Sequence, residues 1–414
     1  MIAQTPRAKT SFAPTEKRSH ESENSSKPGK PEGQEVDVSP KEFFVMILDP
    51  ATGTATFLVE VIDVIHRTLT AKWKQQGRTD VQRRAAWNDY VPKHLLPRLH
   101  GYELMMAPYA IAHMKIGLKL YETGYYFGSD ERARIYLTNA LEPPQDFSDR
   151  LAFDAPALAH EAQAVNEIKR TQHFTVVIGN PPYSNRGQLN RIPFILDLLE
   201  DYKRDLDEKK INLDDDFIKF VRFAQWQAER AGMAIIGLIT NNTYIDGVTH
   251  RRMRECLSAT FSDIYILDLH GSSIKKESAP DGSKDENVFD ITLGVAIGIF
   301  LKSLPAAPCQ ILHADLWGDR DRKYEGLWQG AVARIAWVAL KPNAPYFFFV
   351  PRQESADGDY ENSPSVSEIF SVWQNCLKTD RDDLFFDLDR EALLERMRTF
   401  LMLTDFVVTS ATHP

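Results

Sequence analysis

Short apolar runs recur along the chain and alternate with stretches in which apolar residues return every three or four positions. The apolar runs have the length of strands and occupy residues 43–48, 175–178, 234–239 and 264–267, and a further strand is expected within residues 289–301. Unbroken runs of this kind are typical of strands that are covered on both faces, as in a parallel sheet.

Three stretches have the spacing of amphipathic helices, because their apolar residues fall on one helix face. These apolar positions are Phe57, Val61 and Ile65; Leu104, Ala107, Ile111, Met114 and Leu118; and Phe217, Phe220, Val221, Ala224 and Ala228. Strands that alternate with such helices predict an α/β fold, in which a doubly wound sheet carries helices on both faces. Ligands of such a sheet bind at the carboxyl ends of its strands.

Composition divides the chain into three segments. Residues 1–40 are rich in Ser, Pro, Lys, Glu and Gly and have almost no large apolar side chains, which predicts a disordered tail. Residues 41–304 hold the alternating pattern and form the predicted sheet domain. Residues 305–414 contain scattered prolines and a polar stretch, so a less regular C-terminal extension is expected there, as a connecting or accessory region.

The net charge of −9 argues against a surface covered with basic side chains for binding nucleic acid, but it allows a local basic groove. Residues 72–84 and 250–254 are the two basic clusters that could line one. Each could equally be a solvated helix face.

The three cysteines, Cys256, Cys309 and Cys376, lie far apart and have no histidine at ligand spacing, so neither a disulfide framework nor a metal site is predicted. The chain has no apolar run of about 18 to 20 residues and no signal-peptide pattern at its start. We therefore expect no membrane partner and a cytoplasmic location.

Three features follow predicted strands and could contact a cofactor. The segment Asp49-Pro50-Ala51-Thr52-Gly53-Thr54-Ala55-Thr56-Phe57 joins a strand to a helix through small residues, which let the backbone approach a ligand. Glu103 could accept hydrogen bonds from two ribose hydroxyls, or could simply favour a helix N-terminus. Asn139 could lie against an adenine ring. An ordinary strand-to-helix connection remains the alternative for the first feature.

The segment Asn180-Pro181-Pro182-Tyr183 follows the apolar run at residues 175–178 directly. The prolines end the strand and fix the backbone, so the Asn180 side chain and the Pro181 carbonyl can point at one place. Two acceptors that converge in this way suit a planar amine, and Tyr183 offers an aromatic face for a heterocycle. Methyl transfer from a sulfonium to such an amine needs mainly alignment and charge stabilisation.

In this order, the loop at residues 49–57, the acidic residue and the Asn-Pro-Pro-Tyr segment resemble the gamma-type adenine-specific DNA methyltransferases. The similarity is greatest to the methylase part of single-polypeptide, type I-like (ISP) restriction-modification enzymes, and it extends over roughly residues 42–390. It implies a Rossmann-like methyltransferase sheet, S-adenosyl-L-methionine as cofactor, DNA as partner, and methylation of the adenine N6 amine within a restriction-modification system. It leaves open whether a separate chain supplies recognition, helicase or nuclease activity.

The resemblance also assigns roles to individual residues. The cofactor-binding residues that it implies are Asp49, Gly53, Phe57, Glu103 and Asn139. The catalytic residues that it implies are Asn180, Pro181, Pro182 and Tyr183. Tyr244 is similar to the aromatic residue that stacks on the target base in this family, although an aromatic after a strand is more often a packing residue.

The chain departs from the family pattern at three places. Ala55 stands where the family has a second glycine, and a positive φ there would cost about 1 kcal/mol, with a Cβ near the ligand. Residues 1–40 have no Thr-Pro-containing cofactor motif, and no target-recognition domain follows residues 378–382, so we expect a chain that is truncated at both ends. Two alternatives therefore stand beside a DNA methyltransferase: a catalytically impaired DNA-binding or assembly remnant, and a protein-glutamine methyltransferase.

Overall fold

The computed structural model describes residues 44–128, 131–144, 156–183, 190–206, 213–305, 307–352, 363–370, 387 and 389–408. The chain divides into two compact units, Met1–Val350 and Pro351–Pro414. The expected disordered tail at residues 1–40 lies outside the described residues. No helix in the described part of the chain is long and apolar enough to cross a membrane.

The first unit is built on one sheet, in which nine strands are described. The strands are β1 Ile47–Asp49, β2 Leu99–Glu103, β3 Arg134–Leu137, β4 Val176–Gly179, β5 Ala234–Asn241, β6 Asp263–Asp268, β7 Val295–Lys302, β8 Gln310–Asp315 and β9 Val338–Leu340. Their order across the sheet is β3-β2-β1-β4-β5-β7-β6-β8-β9. Neighbours are parallel from β3 through β5, whereas β7 runs antiparallel to both β5 and β6.

The strand order reverses between β1 and β4, which lie side by side. The chain moves from β1 outward to β3 and then returns to β4 before it continues in the other direction. A crevice opens at such a reversal, outside the carboxyl ends of the two strands. Asp49 ends β1 and Asn180 follows β4, so the fold brings two of the expected site segments to this crevice.

Helices cover both faces of the sheet. In the first unit these are α1 Thr56–Gln75, α2 Asp80–Tyr90, α3 Met106–Glu122, α4 Pro156–Thr171, α5 Pro193–Lys203, α6 Asp216–Ala231, α7 Thr243–Asp246, α8 Arg251–Thr260 and α9 Arg320–Gln329. The second unit contains α10 Val366–Ile369 and α11 Arg390–Val408. Two large apolar clusters lie in the first unit: Leu48 belongs to the one with α5 and α6, and Ile47 packs against the one with α1 and α3. The predicted doubly wound α/β class is confirmed.

The apolar stripe expected on α3 is present, but it lies on the solvent side of the helix. Met114 and Leu118 are 58% and 54% exposed, whereas Ala112 and Ile116 are buried. Helix α3 has apolar residues on more than one face, and the face with Ala112, Ile116 and Leu120 is the one that packs in the core. Spacing alone could not show which apolar face becomes the core.

The strand expected within residues 289–301 begins later in the chain than the apolar pattern suggested. β7 begins at Val295, and residues 289–294 belong to a long connection from β6. Beyond residue 304, β8 and β9 extend the same sheet, and α9 lies between them in the chain. The region after residue 304 thus contributes regular structure to the sheet unit.

Candidate cofactor and substrate site

The loop between β1 and α1 is fastened to the end of β2 by hydrogen bonds. The Gly53 amide donates to Oε2 of Glu103 at 2.8 Å, and the Met105 amide donates to Oε1 at 2.8 Å. The Thr52 amide donates to the Tyr102 carbonyl at 3.0 Å. Each oxygen of Glu103 keeps acceptor capacity beyond these bonds, so the carboxylate orders the loop and can still receive donors from a ligand.

Two glycines let this loop lie close to its neighbouring strands. A Cβ on Gly101 would lie 2.4 Å from Oγ1 of Thr52, and one on Gly179 would lie 2.8 Å from Oδ1 of Asp49. These separations are too short for a contact between a Cβ atom and a non-bonded oxygen. β2 and β4, the strands on both sides of Asp49, therefore need glycine at these positions because of packing, a requirement that was not predicted from the sequence.

Asp49 lies beneath the loop and is fully buried. Its Oδ1 accepts the Ala51 amide at 3.1 Å, while its Oδ2 has no hydrogen-bond partner. Burial, aided by the nearby charge of Glu103, raises the pKa of the Asp49 carboxyl to about 7. A buried acceptor without a partner is suited to a donor or a positive charge brought by a ligand.

Ala55 adopts the left-handed conformation, with φ of 64° and ψ of 30°. The structure thus requires a positive φ at this position, as the departure from the family pattern suggested. Ala55 is also fully buried and belongs to the apolar cluster with Leu58 and Ile62. A methyl group that faced an open crevice would be exposed, so the Cβ of Ala55 lies in the core and not at the loop surface.

Phe57 lies in the first turn of α1 and is 37% exposed. The Lys115 ammonium on α3 donates to Oγ1 of Thr54 at 3.3 Å and to Oγ1 of Thr56 at 3.2 Å. The start of α1 is therefore tied to α3 as well as to β2.

Asn139 follows β3 and links two loops. Its Oδ1 accepts the Leu141 amide at 3.0 Å, and its Nδ2 donates to Oδ1 of Asn190 at 2.9 Å. The Lys169 ammonium on α4 fixes the same loop by donating to the carbonyls of Asn139 at 2.7 Å and Glu142 at 3.0 Å. Burial lowers the pKa of Lys169 to about 8. Sequence reasoning missed Lys169, because a lysine on a helix carries no local signal of this contact.

The four residues after β4 form a compact turn at the crevice. Pro181 is buried and Pro182 is exposed. The Tyr183 hydroxyl lies 2.5 Å from Oδ1 of Asn180 and 3.1 Å from the Ile239 carbonyl oxygen. The turn is thus connected to β5, and the Asn180 amide is oriented by its own loop.

A second aromatic ring faces Tyr183. The ring centroids of Tyr183 and Phe289 are 6.5 Å apart, and the ring planes meet at 45°. Phe289 also lines a cavity of about 700 Å³ formed by the connection between β6 and β7 and the start of α9. Phe289 is the first residue of the range 289–301 within which a strand was expected. The polar residues Asp290 and Thr292 that follow it were the available sign of a loop.

Tyr244 is only 1% exposed and packs against Phe217, with ring centroids 6.4 Å apart. Its ring has no accessible face in this structure. The alternative of a packing residue therefore fits Tyr244 better than base stacking, because the residue lies in α7 with its ring turned into the core.

The basic clusters also differ from the expectation of a groove. Arg254 is fully buried, and its guanidinium donates to backbone carbonyls of Tyr244 at 2.6 Å, Gly247 at 2.8 Å and Tyr346 at 2.6 Å. In the cluster at residues 72–84, Lys72 and Lys74 lie in the last turn of α1, whereas Arg83 and Arg84 lie in α2.

A group of acidic and histidine side chains lies at the carboxyl ends of β6 and β8. Donor atoms of Asp268, His313 and Asp315 lie within 4.8 Å of one another. His270 bridges the two carboxylates, at 3.5 Å from Asp268 and 2.9 Å from Asp315. Although burial opposes it, hydrogen bonds to Asp315 and Glu277 raise the pKa of His270 to about 9, so an imidazolium already balances this negative charge.

Residues 104–274 match the family model described as Eco57I restriction-modification methylase. The expected resemblance to restriction-modification methylases is thereby confirmed, and the matched segment contains Asn139 and the turn at residues 180–183. No curated protein matches the sequence.

Three solved structures are similar to most of the chain. The first is the ATP-dependent type ISP restriction-modification enzyme LlaBIII bound to DNA, at 25% identity and a TM-score of 0.63, over 88% of this chain and 24% of that one. The second is a nuclease-deletion mutant of the type ISP restriction-modification enzyme LlaGI in complex with a DNA substrate mimic. It is 20% identical, with a TM-score of 0.65, over 87% of this chain and 29% of that one.

The third is a complex of DrdV with DNA, at 23% identity and a TM-score of 0.61, over 87% of this chain and 34% of that one. At these identities the LlaGI and DrdV structures show the shared fold. The chain spans about a quarter to a third of the length of these relatives.

Proposed function

We propose that this chain, whose residues 104–274 match a restriction-modification methylase family, transfers a methyl group from S-adenosyl-L-methionine to the N6 amine of adenine in DNA. One observation carries the proposal: the Asn180-Pro181 acceptors lie at the carboxyl end of β4, beside the β1–α1 loop at the reversal of strand order. An acceptor pair for an amine and a loop suited to a cofactor thus meet at one crevice.

The residues of the crevice fit S-adenosyl-L-methionine. Glu103 has acceptor capacity for ribose hydroxyls, and the unpartnered Oδ2 of Asp49 suits a cationic ligand. The inward Cβ of Ala55 leaves the loop surface open. When bound, this cofactor supplies an electrophilic methyl group on a sulfonium. We expect Phe57 and the Asn139 loop to border its adenosine part.

The role of Asn180 and Pro181 is to hold the acceptor amine. Their oxygens accept the two amine hydrogens, which directs the nitrogen lone pair away from them and toward the methyl donor. Positive charge develops on the nitrogen during transfer, and the two fixed oxygens stabilise it. As the N–C bond forms, the bond between sulfur and the methyl group breaks and the donor becomes a neutral thioether. A proton then passes from the positively charged nitrogen to solvent water, so the step requires no strong base.

The rings of Tyr183 and Phe289 are suited to hold the target base. An adenine amine is inaccessible inside a duplex, so the base must leave the stack. Rings with centroids 6.5 Å apart can receive a planar base between them once they turn parallel. We propose Phe289, in place of Tyr244, as the second stacking residue.

Transfer of labelled methyl groups to unmethylated bacterial genomic DNA tests the proposal. The wild-type chain should label DNA, and hydrolysis of the product should yield N6-methyladenine. Asn180→Ala should abolish labelling, whereas Asn343→Ala, which alters an exposed asparagine outside the site, should not. A parallel arm with a protein acceptor tests the protein-glutamine alternative. Label on protein but not DNA, or no Asn180-dependent label at high cofactor concentration, would contradict the proposal.

A further inference from the structure

We propose that helix α9 positions Phe289 opposite Tyr183, and that Lys323, Arg320 and Tyr324 are its positioning residues. This inference rests on the proposed function, because it concerns the ring that we assign to the target base. The connection from β6 to β7 spans residues 269–294, and Phe289 is near its end. A ring on so long a connection needs outside anchors if it is to be ordered before the base arrives.

The deepest anchor is Lys323, which is fully buried. Its ammonium lies 2.7 Å from Oδ1 of Asp285, in a pair whose two side chains are both inaccessible to solvent. The ammonium also donates to the carbonyl oxygens of Leu269 at 2.7 Å and Glu286 at 2.6 Å. Lys323 therefore binds the beginning and the end of the connection at once.

Two further side chains of α9 hold the residues around Phe289 itself. Arg320 donates to the carbonyl oxygens of Asn287 at 2.9 Å and Phe289 at 3.2 Å. The Tyr324 hydroxyl donates to the Val288 carbonyl at 2.6 Å. Three consecutive carbonyls at residues 287–289 are thus fixed by one helix.

The turn before α9 adds a short ladder to the same segment. The Glu286 amide donates to the Gly318 carbonyl at 3.0 Å, and the Gly318 amide donates to Oδ1 of Asp285 at 2.9 Å. Nδ2 of Asn287 donates to the carbonyls of Gly271 at 3.1 Å and Leu293 at 2.6 Å on the other side. The backbone before Phe289 is therefore held on one side by α9 and the turn before it, and on the other side by the contacts of Asn287. The orientation of the Phe289 ring thus depends on α9.

Arg320 and Tyr324 allow a test that spares the core. The Tyr324 side chain is about half exposed, and Arg320 reaches the loop from the surface. Removing the Tyr324 hydroxyl and the Arg320 guanidinium therefore leaves the buried Lys323–Asp285 pair intact. The test variant combines Arg320→Gln with Tyr324→Phe. The matched control combines Arg67→Gln on α1 with Tyr121→Phe on α3, where both residues are exposed and outside the site.

Hydrogen exchange of the full chain, followed by mass spectrometry, measures the anchoring without any substrate. In the test variant, amides at residues 286–290 should exchange about ten- to thirty-fold faster, as expected for the loss of two or more hydrogen bonds, while the sheet amides keep their rates. The control variant should match the wild type. Unchanged exchange at residues 286–290 would overturn the proposed anchoring.

Methyl transfer then tests the role in substrate binding. In the test variant, kcat/KM for unmethylated genomic DNA should fall about ten-fold or more, while the Kd for S-adenosyl-L-methionine should not change. The kcat/KM of Arg320→Lys should lie between those of the wild type and the test variant. Faster exchange with unaltered DNA kinetics would overturn the positioning role. A wild-type chain that transfers no methyl group would instead refute the proposed function, and this inference with it.

Discussion

The hydroxyl oxygen of Tyr183 lies 2.5 Å from Oδ1 of Asn180, within the same four-residue turn. Burial raises the pKa of the Tyr183 phenol, so the hydroxyl remains protonated and available as a donor at neutral pH. The contact orients the Asn180 amide without consuming all of its acceptor capacity. Tyr183 thus combines two functions in the proposed reaction, orientation of the acceptor through its hydroxyl and stacking through its ring.

Tyr183→Phe separates these two functions. The ring remains for stacking, but Asn180 loses the hydrogen bond that orients it, so kcat should fall about ten-fold while KM for DNA changes little. Tyr183→Ala should raise KM for DNA as well. Steady-state methyl transfer with both variants measures the difference, and equal effects of the two substitutions would contradict the assignment.

Ala55→Gly should leave cofactor affinity within about three-fold of the wild type. The substitution relieves a left-handed strain of about 1 kcal/mol, but it removes a core methyl group and adds freedom to the unfolded chain. Calorimetric titration with S-adenosyl-L-methionine measures the affinity. A gain of ten-fold or more would show that the Ala55 Cβ does obstruct the cofactor.

The buried carboxyl of Asp49 should make stability depend on pH. Its pKa of about 7 in the folded protein exceeds the ordinary value of 3.8, so the folded chain holds a proton there that the unfolded chain releases. The contribution of Asp49 to the free energy of unfolding should therefore decrease as pH rises from about 4 to about 7 and stay constant above.

Asp49→Asn isolates this contribution, because its amide cannot ionise. The difference in Tm, taken as the Tm of the wild type minus the Tm of this variant, should be lower at pH 8 than at pH 5. A difference in Tm that is the same at both pH values would show that the Asp49 pKa is not raised.

Lys169→Met should weaken binding of S-adenosyl-L-methionine about ten-fold. Without the ammonium, the carbonyls of Asn139 and Glu142 lose their donor, and the loop after β3 is no longer fixed. Equilibrium titration of the cofactor gives the Kd. Lys72→Met, at an exposed lysine near the end of α1, is the control, and a similar loss in both variants would rule out a specific role for Lys169.

Arg254→Gln should lower the free energy of unfolding by about 3 kcal/mol or more. The buried guanidinium satisfies several backbone carbonyls that would otherwise lack donors. Arg252→Gln breaks only a partly exposed ion pair with Glu255 and should cost less than about 1 kcal/mol. Denaturant unfolding compares the two. If both substitutions lowered the free energy of unfolding by a similar, small amount, the cluster would instead be a solvated helix face.

Much of the sheet was visible in the sequence because strands buried on both faces need continuous apolar residues. The expected runs ending near Ile178, Ile239 and Leu267 coincide with β4, β5 and β6. The loop at Asp49 and the turn at Asn180 were also visible, because small residues and prolines restrict the backbone locally. The crevice between β1 and β4 follows from their adjacency in the sheet.

Other parts of the candidate site depend on contacts between residues far apart in the chain. The spacing of Phe289 from the apolar residues after it is compatible with a strand, and only its anchoring by α9 turns it toward Tyr183. Tyr244 follows a strand as a stacking residue would, yet its ring packs in the core.

The sequence by itself determined the α/β class, the order of the site segments and the chemistry available at Asn180-Pro181-Pro182-Tyr183, because periodicity, prolines and side-chain types act locally. Only the tertiary structure decided which apolar face of α3 is buried, where the Cβ of Ala55 points and which aromatic ring faces Tyr183. These outcomes depend on which surfaces meet when the chain packs, and no single segment contains that information.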